Sequence, residues 1–352
     1  MTHEHFGPPF DRIVGGSKEE RERLRREAEE KINKALQSGT IIAPEFQEYR
    51  AQLTEQERHI IQLAESAVDD LARRYGGSPE PLSPERIILL NNPEEKESGR
   101  FAAYGTGLVI LERSSSSIDF GAIAMHELLH AKSYQALQVE KWSKEKIPKL
   151  GAYRRGLVVN SLKKNTAYFM NLDEAVTAEL AYRLYQSTLR NNPLFEKEIR
   201  AVEEIKPWIR NWLDRGEHTK GKRLKGAKRL QESLDEELYT VPDAERIAEE
   251  IRAAGKEKNA EEKRLAIIGT LMARHWMEAT TFALRERYGE RQKLKRILDT
   301  IREKSGGEYA TRDEVFDEFV RAYFTGNVLT VGRLIERSFG KKSLKKIDVT
   351  KG

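Results

Sequence analysis

The five residues His126-Glu127-Leu128-Leu129-His130 constrain this chain more tightly than any other stretch. On an α-helix, residues four apart stand one above the other on the same face, so both imidazoles share one side. Ile123, Ala124 and Leu128 surround the pair with apolar side chains, which calls for a buried helix. The fold must therefore cover this helix on most sides and still leave the two histidines a common space. The spacing predicts a helix from about Asp119 to Leu137.

Composition narrows what that space can hold. The 352 residues include no cysteine, so there is no disulfide framework and no thiolate metal site, and a zinc ion would have to be held by His, Asp or Glu. A hydrophobic content of 38% suffices for one large domain or two ordinary ones with a real core. The net charge of +5 is small beside 62 basic and 57 acidic residues, and the excess is local. Lys220, Lys222, Arg223, Lys225, Lys228 and Arg229 form one basic cluster, and Lys341, Lys342, Lys345 and Lys346 another. Such clusters can contact phosphates, but charge runs ordinarily extend into water, so nucleic acid is not the favoured partner. No apolar stretch approaches a membrane span, and Met1 to Phe10 lacks the basic-then-apolar order of a secretory signal. The expectation is a soluble, cytoplasmic protein with no membrane partner.

Around the histidine pair the chain reads as an α+β fold, mostly helical. Residues 17–37 form a charged helical stretch ending at Ser38-Gly39. Thr54 with Glu57 three residues later has the capping-box spacing, and Ile60, Ile61, Leu63, Ala64, Ala67, Val68 and Leu71 make an apolar stripe that Gly76-Gly77 ends. Ser78 to Pro84, with three prolines, reads as a linker. Ile87 to Leu90 reads as a strand, and so does Phe101 to Leu111, where Gly105 and Gly107 allow a bulge or close approach. Gly151 to Asn160 and Thr166 to Met170 suit a β-hairpin, and a helix runs from about Asp173 to Leu189. Beyond Pro193 helices are expected near 194–213, 243–254, 260–287, 290–304, 312–324 and 328–338. The layout is a helical region over 1–83, a small α+β centre over 84–190 and a helical region over 191–352.

The chemistry lies in the centre. Zinc accepts neutral histidine nitrogen and, in catalytic sites, keeps one position for water. In an H-E-x-x-H helix Glu127 is not a ligand. It stands beside that water and takes its proton, while the metal lowers the pKa of the water and polarises the carbonyl under attack. A three-ligand site needs one more donor, and Leu172 to Leu180 offers Glu174 and Glu179. Five residues apart on a helix they are offset by about 140°, so both cannot point straight at one ion.

H-E-x-x-H followed by Asp173-Glu174-Ala175-Val176-Thr177 resembles the gluzincin metallopeptidases, whose second helix reads N-E-A-x-[ST]. The likeness is closest to the compact, minigluzincin-like members and covers roughly 84–190, under a third of the chain. It implies a zincin-like catalytic core, a short β-sheet plus the active-site helix. It also implies Zn2+ held by His126, His130 and Glu174, a peptide or protein substrate, and hydrolysis with Glu127 as general base. Phe101 to Leu111 takes the place of the family's edge strand, which receives an extended peptide. Three departures stand out. Asp173 replaces the family's Asn. Ala178 stands where thermolysin-type members have an Asp that orients a zinc histidine, so Glu179, the next residue, is expected to reach that histidine instead. The interval from His130 to Glu174 is long, and Glu140 to Thr166 is expected as a loop and hairpin over the cleft. For the oxyanion donor, Tyr153, Arg154, Tyr168, His275 and Tyr323 are candidates. Tyr153 comes first because Ala152 to Leu157 falls between the two ligand helices.

The alternative is a peptidase-like binding protein with little catalysis, contacting nucleic acid or a protein partner through basic helical segments. The basic clusters and the missing family Asp favour it. The intact Glu127 favours the enzyme, since a protein without catalysis has no chemical need for that carboxylate.

Overall fold

The computed structural model describes residues 10–38, 47–91, 99–102, 107–114, 116–140, 149–160, 166–216, 234, 241, 243–277, 288–341 and 343. The basic cluster at 220–229, Gly105, residues 278–287 and most of the second basic cluster lie outside them. The architecture is mostly helical α+β with two small sheets. No helix among the described residues is long and apolar enough to cross a membrane.

Two reciprocal caps start the first helices. Ser17 Oγ accepts the Glu20 N–H at 3.2 Å, and Glu20 accepts the Ser17 N–H at 3.3 Å, at the head of α1 (Lys18–Gln37). Thr54 and Glu57 repeat the exchange at 3.1 and 2.7 Å for α2 (Glu55–Arg74). Ile60, Ala64, Val68 and Ala72 recur one turn apart on α2 and are buried against α3 (Ser117–Lys132), the helix of the histidine pair.

The first sheet has the order β2-β3-β5-β4, built from β2 (Arg50–Ala51), β3 (Ile87–Leu90), β4 (Gly99–Ala102) and β5 (Leu108–Glu112). The expected single strand over Phe101 to Leu111 is instead two antiparallel strands, with Ala102 opposite Leu108 and Gly99 opposite Leu111. Gly107 at φ +62° belongs to the reversal, a conformation that glycine adopts without steric cost. β3 and β5 run parallel, and β4 is the outer strand on one side.

Helix α3 stops at Lys132, earlier than expected. Ser133 takes an extended conformation and its hydroxyl donates to the His130 carbonyl at 2.8 Å. Leu137 belongs instead to β6 (Gln135–Glu140), an inner strand of a second sheet. Its order is β1-β6-β7-β8-β9, with β1 (Arg12–Val14) parallel to β6. β7 (Lys149–Arg155), β8 (Val158–Asn160) and β9 (Ala167–Tyr168) follow as an antiparallel meander. Ile13 and Leu137 sit side by side in register and, with Phe10, pack towards Ala28 of α1. The described residues of the long interval between His130 and Glu174 thus lie largely in a sheet, which the early strand β1 extends; 141–148 and 161–165, within the expected loop and hairpin, lie outside the described residues.

From β9 the chain enters α4 (Met170–Leu184) through Phe169, whose φ of +68° is a strained left-handed conformation for a bulky residue. A π-helical turn over Tyr185–Leu189 closes the segment. Among the described residues the remaining α-helices are α5 (Glu196–Asp214), α6 (Ala244–Ala254), α7 (Ala260–Met277), α8 (Tyr288–Lys304), α9 (Arg312–Thr325) and α10 (Val328–Phe339). One apolar core joins α2, α3, α4, α8, α9 and α10, and a second joins α5, α6 and α7.

Gly121 marks a close approach of α3 to Leu189 and to Ile60 of α2. A Cβ there would stand 3.0 Å from Leu189 Cδ1 and 3.3 Å from Ile60 Cγ2. Gly121→Val should therefore lower stability by about 1–3 kcal/mol through overpacking. Denaturant unfolding measures this, and an unchanged midpoint would show that the α2–α3 contact yields more easily than the spacing implies.

Candidate metal centre

Both ends of α3 are tied down. At its start Ser116 Oγ accepts the Asp119 N–H at 3.0 Å. The Glu198 carboxylate, from α5, accepts the N–H groups of Ser117 and Ile118 at 3.0 and 3.3 Å and also bonds the Ser116 hydroxyl. An anion at a helix N-terminus satisfies donors that have no partner inside the helix. At the other end Lys132 is buried, and its ammonium reaches Glu65 at 2.7 Å, Asp69 at 3.0 Å and the Glu80 carbonyl at 2.5 Å. These bonds fix the helix along and about its axis, and with it the direction of the histidines.

His126, His130 and Glu174 come together as the sequence implied. One ligand atom from each lies within 4.8 Å of the others, an arrangement that could hold a metal ion. His126 Nε2 is 3.3 Å from Glu174 Oε2, and His130 Nε2 is 3.2 Å from Glu174 Oε1. The two rings meet edge to face with centroids 4.9 Å apart. Both histidines thus offer the same nitrogen to one point, and Glu174 reaches that point from the second turn of α4. Glu127, next to His126 on α3, is buried and stands outside this ligand set.

The carboxylate behind the His130 ring is that of Asp173. Its Oδ2 lies 3.4 Å from His130 Nδ1, long for a hydrogen bond, yet neither atom has another partner among the described residues. Asp173 is fully buried, and its Oδ1 accepts the Leu157 N–H at 2.8 Å. This leaves Nε2 of His130 as the nitrogen turned to Glu174 and to the point a metal ion could occupy. Glu179, expected in that role, points elsewhere. It bonds Arg183 at 3.0 Å and the buried Arg291 of α8 at 2.9 Å. Asp173 and Glu174 are about 100° apart on the helix, so one carboxylate can meet the back of an imidazole while its neighbour meets the front. An acid immediately before the ligand was the available signal in the sequence.

Electrostatics reflect this packing. Burial pushes His130 down, but the Glu174 and Asp173 carboxylates outweigh it and raise the group to about 9. Burial pushes Glu174 up, and the two imidazoles outweigh that in turn and hold its carboxyl far below the usual range.

Of the candidate oxyanion donors, Tyr153 is half-buried on β7, at the irregular register opposite Ala136 and Leu137, near enough to Tyr134 and Arg154 to act on both electrostatically. Arg154 lies over the Tyr134 ring at 5.3 Å. Tyr168 is half-buried on β9, and the His275 side chain is outside the described residues. Tyr323 of α9 is fully buried behind the site, its hydroxyl 3.0 Å from Thr177 Oγ1.

Comparison with known protein families, with curated proteins and with solved structures finds no match to this chain.

Two outcomes follow from the geometry. Asp173→Ala should weaken metal binding by about 10–100-fold while keeping one site per chain, whereas Glu179→Ala should leave affinity near wild type. Glu179→Ala should instead cost about 3 kcal/mol of stability, because it strips a buried guanidinium of a partner. Metal competition and denaturant unfolding on the same two variants separate these effects. The raised His130 generates the second outcome. It is protonated at pH 7 in the metal-free protein, so a metal ion must displace that proton. Binding at pH 7 should release about one proton per ion, with affinity rising up to about pH 9 and falling in acid. Calorimetric titration in buffers of different ionisation enthalpy reads the proton count, and a count of zero would contradict the charge assignment.

Proposed function

We propose that this protein is a zinc-dependent metallopeptidase of the gluzincin type. The observation that carries the reading is the convergence of His126, His130 and Glu174 on one point with the Glu127 carboxylate on the same helix. Two nitrogens and one oxygen, with no sulfur available, suit zinc, and three protein ligands leave a position open. Zinc bound there would supply Lewis acidity that activates water near neutral pH and polarises a carbonyl.

The chain's own residues supply the rest. Glu127 lies about 100° from His126 and about 60° from His130 around the helix, so its carboxylate flanks the ligand pair. It is placed to take a proton from an attacking water and pass it to the leaving amine. Asp173 keeps the His130 ring in register. β4 is the outer strand of its sheet among the described residues and packs beside α3, which suits an extended peptide adding to that edge.

Glu127→Gln preserves shape and removes the base. It should retain the metal and lose turnover of a mixed peptide pool by about 10²–10⁴-fold. A variant that binds zinc and cleaves as fast as wild type would rule out Glu127 as the base and, with it, this mechanism.

A further inference from the structure

Tyr323 sits almost 150 positions after Thr177 in the chain, yet the two hydroxyls are 3.0 Å apart in a fully buried setting. Thr177 has a single hydroxyl proton and donates it to the Asp173 carbonyl at 2.9 Å. By proton count Tyr323 must then be the donor to Thr177. A directed chain results, from the Tyr323 hydroxyl through Thr177 to the backbone of Asp173.

The same tyrosine supports Asp173 from a second side. Gly156, at φ +52°, turns β7 into β8 directly against it. A Cβ at Gly156 would overlap Asp173 Oδ1 and stand 2.8 Å from the Tyr323 ring. The next residue, Leu157, gives its N–H to Asp173 Oδ1. Backbone bonds clamp the three segments together: the Tyr134 N–H donates to the Tyr323 carbonyl at 3.0 Å, and the Gly156 N–H donates to the Tyr134 carbonyl at 2.7 Å. Tyr134 in turn lies over the end of α9, where a Cβ on Gly326 would meet its ring at 2.5 Å. Tyr323 therefore holds Asp173 at its backbone through Thr177 and at its carboxylate through the Gly156–Leu157 turn.

We infer that Tyr323, on helix α9, is a positioning residue for the metal centre, acting through Thr177 and Asp173 on the proposed ligand His130. The inference rests on the metal-site reading above. It makes the centre depend on a helix far outside the segment that carries the ligands, and it assigns a use to a buried hydroxyl that packing alone does not require.

The test is zinc affinity, measured on the full chain by competition with a chromophoric chelator, beside the absorption spectrum of the cobalt(II)-substituted protein. Tyr323→Phe and Thr177→Val each remove one hydroxyl with little change of shape. Each should weaken zinc by about threefold to tenfold, less than loss of a direct partner of the ligand, and shift the cobalt spectrum. Thr177→Ser keeps the hydroxyl and should restore near wild-type affinity. Phe319→Leu, buried in the same helix, should lower the melting temperature without moving affinity. Because Tyr323 acts through Asp173, Tyr323→Phe should add nothing in an Asp173→Asn background. Should Tyr323→Phe not fold, the Thr177→Val and Thr177→Ser pair makes the same comparison from the other side of the bond. Wild-type affinity in both hydroxyl-deletion variants, or full additivity with Asp173→Asn, overturns the inference alone. A wild-type protein that takes up no zinc overturns the inference and the metal reading together.

Discussion

Helix α3 has almost no solvent face, and the rest of the structure follows from that. Of its residues only Ser117, His126 and Ala131 are partly exposed. A helix buried on nearly every side needs cover from several directions, and its end groups need partners that water cannot supply. α2 covers one side, α4 another, and β5 a third. Glu198 and Lys132 answer the two ends with buried or half-buried charge. The partial exposure at His126 is the one place along the ligand face where this cover is withheld, and it is where the donor atoms converge.

Charge balance connects the burial to chemistry. Two carboxylates, Asp173 and Glu174, lie against two imidazoles in a largely buried cluster. With both carboxylates ionised and both imidazoles neutral the group carries two negative charges, which burial disfavours strongly. The Glu174 and Asp173 carboxylates raise the pKa of His130, which favours a proton there and offsets part of that charge. A single divalent cation would neutralise the cluster outright. The same arrangement that makes the metal-free site tolerable thus makes it a proton competitor for the metal.

Much of this was legible in the sequence, for identifiable reasons. Caps are local, and Ser17 with Glu20 and Thr54 with Glu57 form as their spacing predicts. The histidine pair is local too. What failed depended on tertiary context. Ala136 and Leu137 continue the apolar rhythm of α3, and nothing nearby in sequence shows that β1, over a hundred residues earlier, pairs with them and draws them into a strand. The reversal between β4 and β5 falls inside an apolar run that reads as one strand, and only the pairing of Ala102 with Leu108 shows the turn. Glu179 was favoured beside a ligand histidine because a family pattern counts residues forward from the ligand. Its burial against Arg291 comes from α8, which that pattern does not contain.

The division of labour on α4 explains why Asp173 and Glu179 hold the roles they do. About 140° of helical rotation separates Glu174 from Glu179, so a helix aimed to put the first on the metal point must put the second on another side. That side meets α8 and α9, where Arg291 lies over the Tyr182 ring and Arg183 spans from Glu179 to Asp313. The forward side meets α3 through Asp173 and Glu174. Binding energy on the rear face therefore sets how firmly α4 is seated, and geometry on the forward face sets how well it holds an ion. Thr177, one turn beyond Asp173, lies on the forward face between Asp173 and Glu174, and its hydroxyl is where the inferred support from Tyr323 enters that face.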